Sequence, residues 1–409
     1  MWENLRKFNL DHCDLPTMLW NVAVGLRVLT LNIERNYDKG IPIYYYILTF
    51  VITVSYFYVF LICMIWFVFI RCRQTGDLTS AMVVLSLGIS SEIGTIKLLC
   101  MFIYVDKIKM LVDEFLECDA QTVLGDRFRS NLLKTLRVVK KRALLYWTVI
   151  VGNGILYLLK PVVMPGKNLP ENHYVIYGLE PMFETPNYEI ACAIMTAGVF
   201  FICYVPASAT AYLIVIVGYI EAQLLALSEE VLQIWPDAVK NVEAHINVVD
   251  IEEFEPNTNI LINKYVEKRL KEIIIRHALI KELFLKIEDI FKGAIAIGFL
   301  LLVLGLIAEL LGKLENTFLQ MPFAFMQVAM DCFNGQRVMD ACVVFEEAVY
   351  DCQWEKFNKA NMKMVLIMLQ NAQKTMTLSA GGIAMLNFTC LMSITRGIYS
   401  AYTALRSTF

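Results

Sequence analysis

Uncharged apolar runs long enough to cross a bilayer recur along the chain. The clearest is Ile43–Ile70, which holds no Asp, Glu, Lys or Arg. A hydrocarbon core about 30 Å thick needs about 20 residues of helix. On that measure further spans are predicted at Leu78–Val105, Ala143–Val163, Ala191–Ile220 and Ile290–Leu311. Lys160 sits near one end of the third run, where its stem can snorkel, and Pro206 predicts a kink in the fourth. A weaker stretch, Phe318 to Val344, and a final one, Leu378–Leu405, bring the expected number of spans to seven. Asp106–Arg142 and Glu221–Lys286 are charged and helix-prone, which predicts helices that project beyond the bilayer. No internal repeat and no Gly/Ser-rich linker marks a second domain.

The polar positions between the runs predict an orientation, because Lys and Arg are retained on the cytoplasmic side. Residues 1–42 carry five of them, the loop after the second span nine and the loop after the fourth eight, whereas the loops after the first and third spans carry two each. The N-terminus is therefore expected in the cytosol. An odd number of spans then places the C-terminus outside, the reverse of a G-protein-coupled receptor. The N-terminal stretch has no apolar h-region, so no cleaved signal peptide is expected. The Asn387-Phe388-Thr389 sequon falls inside the last span and is expected to carry no glycan.

Composition agrees with lipid as part of the solvent: 57% of residues are hydrophobic and 18% charged, with mean hydropathy +0.55. A net charge of −3 supplies no global positive field, so no nucleic-acid partner is expected. The eleven cysteines lie mostly in apolar runs, where single thiols pack as small hydrophobes. There is no CxxC, and the four histidines stand apart, which predicts no metal site and no cofactor. P-loop, GxSxG, HExxH and GxGxxG motifs are all missing, so an enzyme is not expected.

Three patterns carry candidate chemistry. Glu92 and Lys97 are five apart on one helix, too far round for a good mutual pair, so each is expected to seek a partner on another helix. In the last span Thr389, Ser393, Arg396, Ser400, Thr403 and Ser407 step by four and three and trace one helix face. That face meets either other helices, each hydroxyl bonding its own i−4 carbonyl, or water in a narrow pore. Finally, Trp147, Tyr157, Met195, Phe200, Phe201, Tyr204, Phe318, Met321, Phe323 and Phe325 crowd the expected outer halves of the middle spans. Gly152, Gly154 and Gly198 remove volume among them, as a small apolar pocket for an uncharged, oily ligand requires.

Several stretches carry a family likeness. Tyr399-Ser400-Ala401-Tyr402-Thr403-Ala404-Leu405-Arg406-Ser407 resembles the C-terminal signature of insect odorant receptors. Asp331-Cys332-Phe333-Asn334-Gly335, followed by Tyr350 and Trp354, resembles that family's stretch between the sixth and seventh spans. Residues 178–190 (GLEPMFETPNYEI) and 217–223 (VGYIEAQ) look most like moth and butterfly receptors, including their pheromone branch.

The resemblance implies an all-α, seven-transmembrane-helix protein in the plasma membrane of olfactory sensory neurons. It also implies a ligand-gated, non-selective cation channel subunit that assembles with the odorant co-receptor as a hetero-tetramer and binds a small apolar volatile. A pocket between spans two, three, four and six would then involve Ile89, Trp147, Gly154, Tyr157, Met195, Phe200, Tyr204, Phe318, Met321 and Phe325. The final helix would line the pore through Ser400, Thr403, Ala404, Ser407 and Thr408. Small Ala404, where the co-receptor has a bulky apolar residue, implies that the co-receptor supplies most of the seal.

The organisation expected is a cytoplasmic segment over 1–42, spans one to four with an outer-half pocket over 43–220, cytoplasmic extensions and an anchor with spans five and six over 221–376, and the pore helix over 377–409. Two rivals are a G-protein-coupled receptor, which would show Asp-Arg-Tyr and Asn-Pro-x-x-Tyr motifs, and a transporter for a hydrophobic ligand, which would show paired repeats.

Overall fold

The computed structural model describes residues 6–35, 40–121, 125–171, 174–246 and 255–406. Among them five helices are long and apolar enough to cross a membrane: Ile43–Thr75 (α2), Leu78–Ile103 (α3), Asp126–Val163 (α5), Asn187–Leu232 (α6) and a fifth over Thr258–Leu311. That fifth stretch belongs to helix Glu255–Leu311 (α8). They correspond to the first five apolar runs. Leu15–Val28 (α1), Val105–Ala120 (α4), Ile234–Ile246 (α7), Gln320–Tyr350 (α9), Lys359–Ala372 (α10) and Phe388–Arg406 (α11) complete the set of helices that matter here.

Short polar residues start several of them. Asp14 accepts from Thr17 N at 3.0 Å to cap α1, with Pro16 in the first turn where its missing N–H costs nothing. Asp77 caps α3 through Ser80 N at 3.0 Å, and Asn358 caps α10 through Asn361 N at 2.8 Å. The charged stretches become continuations of the spanning helices: α5 runs 38 residues, and α8 runs 57. Pro206 does not interrupt α6, which is helical through all of its 46 residues.

Helix α6 is the axis of the fold. Its apolar window is 89% buried, against 28% for α5, and α1, α2, α3, α5, α8 and α9 all pack on it. By contrast Ile43, Ile47, Phe50 and Val54 of α2 step by four and three along one exposed face. A continuous apolar stripe of this kind suits lipid rather than water.

Beyond the apolar stretch, α6 is clamped by ion pairs. Glu221, 1% exposed in its side chain, lies 3.0 Å from Arg142 of α5 and 2.6 Å from Arg337 of α9. Glu230 meets Arg127 of α5 at 2.7 Å and Arg269 of α8 at 2.6 Å. Each buried carboxylate thus has two guanidinium partners, which offsets the cost of taking it out of water.

The seventh apolar run divides in two. Ser379–Ala380 (β1) pairs antiparallel with Ala384–Met385 (β2), so helix α11 begins only at Phe388 and is 19 residues long. Gly381 and Gly382, at φ 64° and 76°, make the turn that other residues would strain to adopt. The hairpin is tied to α8 by Ser379 Oγ donating to Glu288 at 2.5 Å and by Gly381 N donating to Lys292 O at 2.9 Å. It is seated on α9 at Gly335, where a Cβ would lie 2.2 Å from the Leu386 carbonyl oxygen.

Candidate functional site

Both intramembrane charges of α3 find partners on other helices, as their five-residue separation predicts. Lys97 Nζ lies 2.8 Å from Asp331 of α9 and donates to Thr210 Oγ1 of α6 at 3.2 Å; the two charged side chains are 3% and 2% exposed. Glu92 accepts from the Tyr56 hydroxyl of α2 at 2.7 Å. A third acid, Glu309 of α8, lies 3.2 Å from Ser90 Oγ and is buried. These contacts hold α2, α3, α6, α8 and α9 to one another.

Next to this polar belt, α3, α5, α6 and α9, with Phe60 of α2, enclose a cavity of about 30 Å³. Leu87, Val199, Ile202, Cys203, Leu319 and Phe323 supply apolar walls. Its polar roof is a chain of hydrogen bonds. Tyr157 Oη donates to Glu171 Oε2 at 2.9 Å, Gln320 Nε2 reaches the same oxygen at 3.5 Å, and Gln320 Oε1 lies 3.0 Å from Ser86 Oγ. Asn153 Nδ2 donates to Leu319 O at 3.2 Å beside them.

Glu171 belongs to the α5–α6 loop and is 4% exposed. That loop is strapped across the helix ends: the Tyr174 hydroxyl donates to Val59 O, Tyr58 Oη donates to Tyr177 O at 2.7 Å, and Arg71 pairs with Glu180 at 3.3 Å. Glu171, Gln320, Ser86 and Phe60 escape a reading of the sequence that follows aromatic residues alone. The signal available was the polar Gln320 at the start of an apolar run.

The residues singled out from the sequence do not converge on one cavity. Tyr157 lines the cavity just described, and Phe323 stands opposite it. Trp147 and Tyr204 line a separate space of about 330 Å³ between α1, α5 and α6. Ile89 lines a third, of about 130 Å³, between α2, α3 and α8. Met195 is buried in the core, Met321 and Phe325 pack partly buried against it, and Phe200 is exposed and stacks on Tyr204 with centroids 5.3 Å apart. Phe318 points away, 69% exposed.

Two of the three glycines leave no empty room. A Cβ on Gly154 would meet Cys203 Sγ at 2.6 Å, and one on Gly198 would meet the Phe60 ring at 2.4 Å, so each gap is filled by a neighbour. A Cβ on Gly152 meets nothing within 4 Å.

Helix α11 presents the second candidate feature. Among its described residues only Ile398 is fully buried, and Leu391 and Ile394 pack partly buried beside it. The opposite face, with Thr389, Ser393, Arg396, Ser400, Thr403 and Ala404, is exposed. Ser393 donates to Thr389 O at 2.8 Å and Thr403 to Ser400 O at 2.8 Å, so hydroxyls on this face are satisfied within their own helix. Ser407 and Thr408 lie outside the described residues.

Among the described residues no group of three or more His, Cys, Asp or Glu is placed to hold a metal ion. The Cys352 thiol is pushed up to about 12 by burial, as expected of a packed cysteine rather than a reactive one.

The profile of a family described as 7tm odorant receptor matches residues 77–399. No curated protein matches in sequence. In fold the chain is similar to the insect olfactory receptor OR5 from Machilis hrabei. Against its complex with eugenol the TM-score is 0.71 at 12% identity, covering 97% of this chain and 99% of that one. Against a second structure of the same receptor the values are 0.73 and 12%, covering 96% and 98%. At that identity the likeness concerns the fold.

Proposed function

Since the chain belongs to the 7tm odorant receptor family, we propose that it is an odorant-gated, non-selective cation channel subunit, opened by a small apolar volatile. The observation that carries the channel reading is α11, a terminal helix whose hydroxyl-bearing face its own chain leaves uncovered. A polar stripe gains nothing from lipid. In an assembly of several subunits it would face water along a shared axis, with Ser400, Thr403 and Ala404 toward the pore and Ser407 and Thr408 continuing the line. The seven apolar runs support seven spans, and the bias in loop charges supports a cytosolic N-terminus and, with that number of spans, an external C-terminus. The family supports a hetero-tetramer with the odorant co-receptor in the plasma membrane of olfactory sensory neurons. The stretches 178–190 and 217–223 favour a moth or butterfly receptor, with plant volatiles and pheromone-like molecules as the ligand class.

For the ligand site we favour the cavity under the Tyr157–Glu171–Gln320 roof. Its volume of about 30 Å³ is that of roughly one water molecule, while sites for small organic molecules run from about 300 Å³ upward. A volatile can therefore enter only an expanded arrangement, with Phe60, Tyr157 or Phe323 displaced. Binding then selects that arrangement by its differential affinity, which is the physical requirement for gating. Because α9 both walls the cavity and seats the β-hairpin before α11, expansion would be felt at the final helix.

The test is to co-express the chain with a co-receptor in oocytes and record currents against fatty alcohols, acetates, aldehydes and plant volatiles, eugenol among them. Currents that persist under G-protein blockade are expected. Silence across the panel, or a response abolished by the blockade, overturns the reading. Uptake of labelled volatile without current would favour a transporter instead.

A further inference from the structure

Phe60 lines two spaces at once. One is the roofed cavity, and the other is the groove of about 130 Å³ between α2, α3 and α8. Leu87 and Gly88, adjacent on α3, divide in the same way: Leu87 walls the cavity and Gly88 the groove. The Phe60 ring is buried against Gly198 of α6, so it closes the cavity on the groove side.

On the loop side the cavity is covered, because Glu171 and Tyr174 are buried there and bonded to Tyr157 and to Val59 O. The groove is different. Ile65 and Phe69 line it and are 52% and 63% exposed, so it opens where lipid would lie. Glu92 is the one charged side chain in its lining, and its Oε1 accepts from Tyr56 Oη at 2.7 Å. With no cation among the described lining residues to receive an anion, the groove admits neutral molecules.

Phe60 also sits where its helix departs from regular winding. Phe57–Cys63 is wound as a π-helix, and so is Phe67–Arg71. Such turns hold more residues than α-turns, and returning one residue to α-helical winding rotates the chain by about 100°. The Phe60 side chain can therefore swing without breaking the span.

We propose that the odorant reaches the roofed cavity from the bilayer, through the groove between α2 and α3, with Phe60 as the door. The proposal rests on the roofed cavity being the odorant site. An oily volatile concentrates in lipid before it meets the protein, since each methylene favours hydrocarbon over water. A barrier on an entry path changes the rates of entry and exit by one factor and leaves occupancy alone, which sets a path apart from a site.

The experiment uses the full chain in phosphatidylcholine nanodiscs and a diazirine-bearing analogue of 1-decanol, flashed at set delays after mixing, with labelled peptides mapped by mass spectrometry. Label is expected first on α2 and α3 around Leu61 and Leu85, then on α5 around Tyr157 and on α9 around Phe323. Leu61→Trp and, independently, Leu85→Trp fill the groove, and neither residue lines the cavity. Each should slow the appearance of cavity label, and its loss in a chase with unlabelled 1-decanol, about tenfold at an unchanged plateau, the effect of roughly 1.4 kcal/mol on a barrier. Phe60→Ala should speed both steps. Cavity label that rises as fast in both filled variants as in the unaltered chain overturns the route alone. A lowered plateau at unchanged rates would make the groove a site and overturns the route as well. No cavity label at any delay overturns the cavity reading and the route together.

Discussion

Lys97 and Asp331 show how a single pair can hold a membrane bundle together. Each side chain is almost fully enclosed, so removing one partner leaves the other charged where water cannot reach it. Lys97→Met should cost about 3–5 kcal/mol, read as a lowered unfolding temperature of the detergent-solubilised protein and less protein at the cell surface. Adding Asp331→Leu should recover most of the loss, because a packed apolar pair replaces ions at little cost. If the double variant is no better than the single one, the pair is not what the lysine is for. The sequence shows that Lys97 needs a partner but not which, since Asp331 lies 234 residues away and several acids compete for the role.

Cys352 offers a second check at this scale. With its thiol pushed up to about 12 by burial, it stays protonated near neutral pH and should resist maleimide in the native protein, reacting only after denaturation. Rapid native labelling would show that the segment after α9 opens readily.

At the scale of elements, α11 is the helix whose meaning depends most on what surrounds it. Its four-and-three stepping of hydroxyls was legible in the sequence. The choice between packed helices and water was not, because both give the same period. The structure narrows the choice within one chain: α11 packs on α8 and α9 with Ile398 buried, and the hydroxyl face is uncovered. Cysteines at Ser400 and Thr403 should therefore be modified by a charged thiosulfonate in the assembled, odorant-activated receptor, reducing current by a large fraction, while a cysteine at Ile398 should not. Equal modification at all three positions would mean that this helix has no defined wet side.

The start of α11 was misplaced for a plain reason. Hydropathy alone continues the apolar run back to Leu378, yet Gly381 and Gly382 take left-handed backbone conformations that end any helix there. Pro206 lies within the fourth apolar run as read from the sequence, and α6 stays helical on both sides of it with the proline buried.

At the scale of the whole molecule, one enclosed helix carries the rest. Because α6 is buried along most of its length, helices on opposite sides of it respond to one another through its packing, and small cavities beside it are the places where volume can change. Phe60 reaches from α2 into the roofed cavity and fills the gap that Gly198 leaves in α6. Phe60→Ala should enlarge that cavity at a cost of about 3–5 kcal/mol in stability. Bulky odorants should then act at lower concentration, read from dose-response curves normalised to surface expression. Curves that do not move, with the receptor present at the surface, would place the odorant elsewhere.

What the sequence determined by itself was the class of the molecule: a helical membrane protein with its first five apolar runs in place, few charges within them, and a periodic final helix. Those follow from local rules, since bilayer thickness fixes run length and helix geometry fixes period. Only the tertiary structure decided which aromatic residues share a cavity, which acid receives Lys97, and that Gly154 and Gly198 seat Cys203 and Phe60 instead of leaving room. Such contacts join residues far apart in sequence, and their selection rests on the relative rotation and depth of whole helices, which no short stretch of the chain encodes.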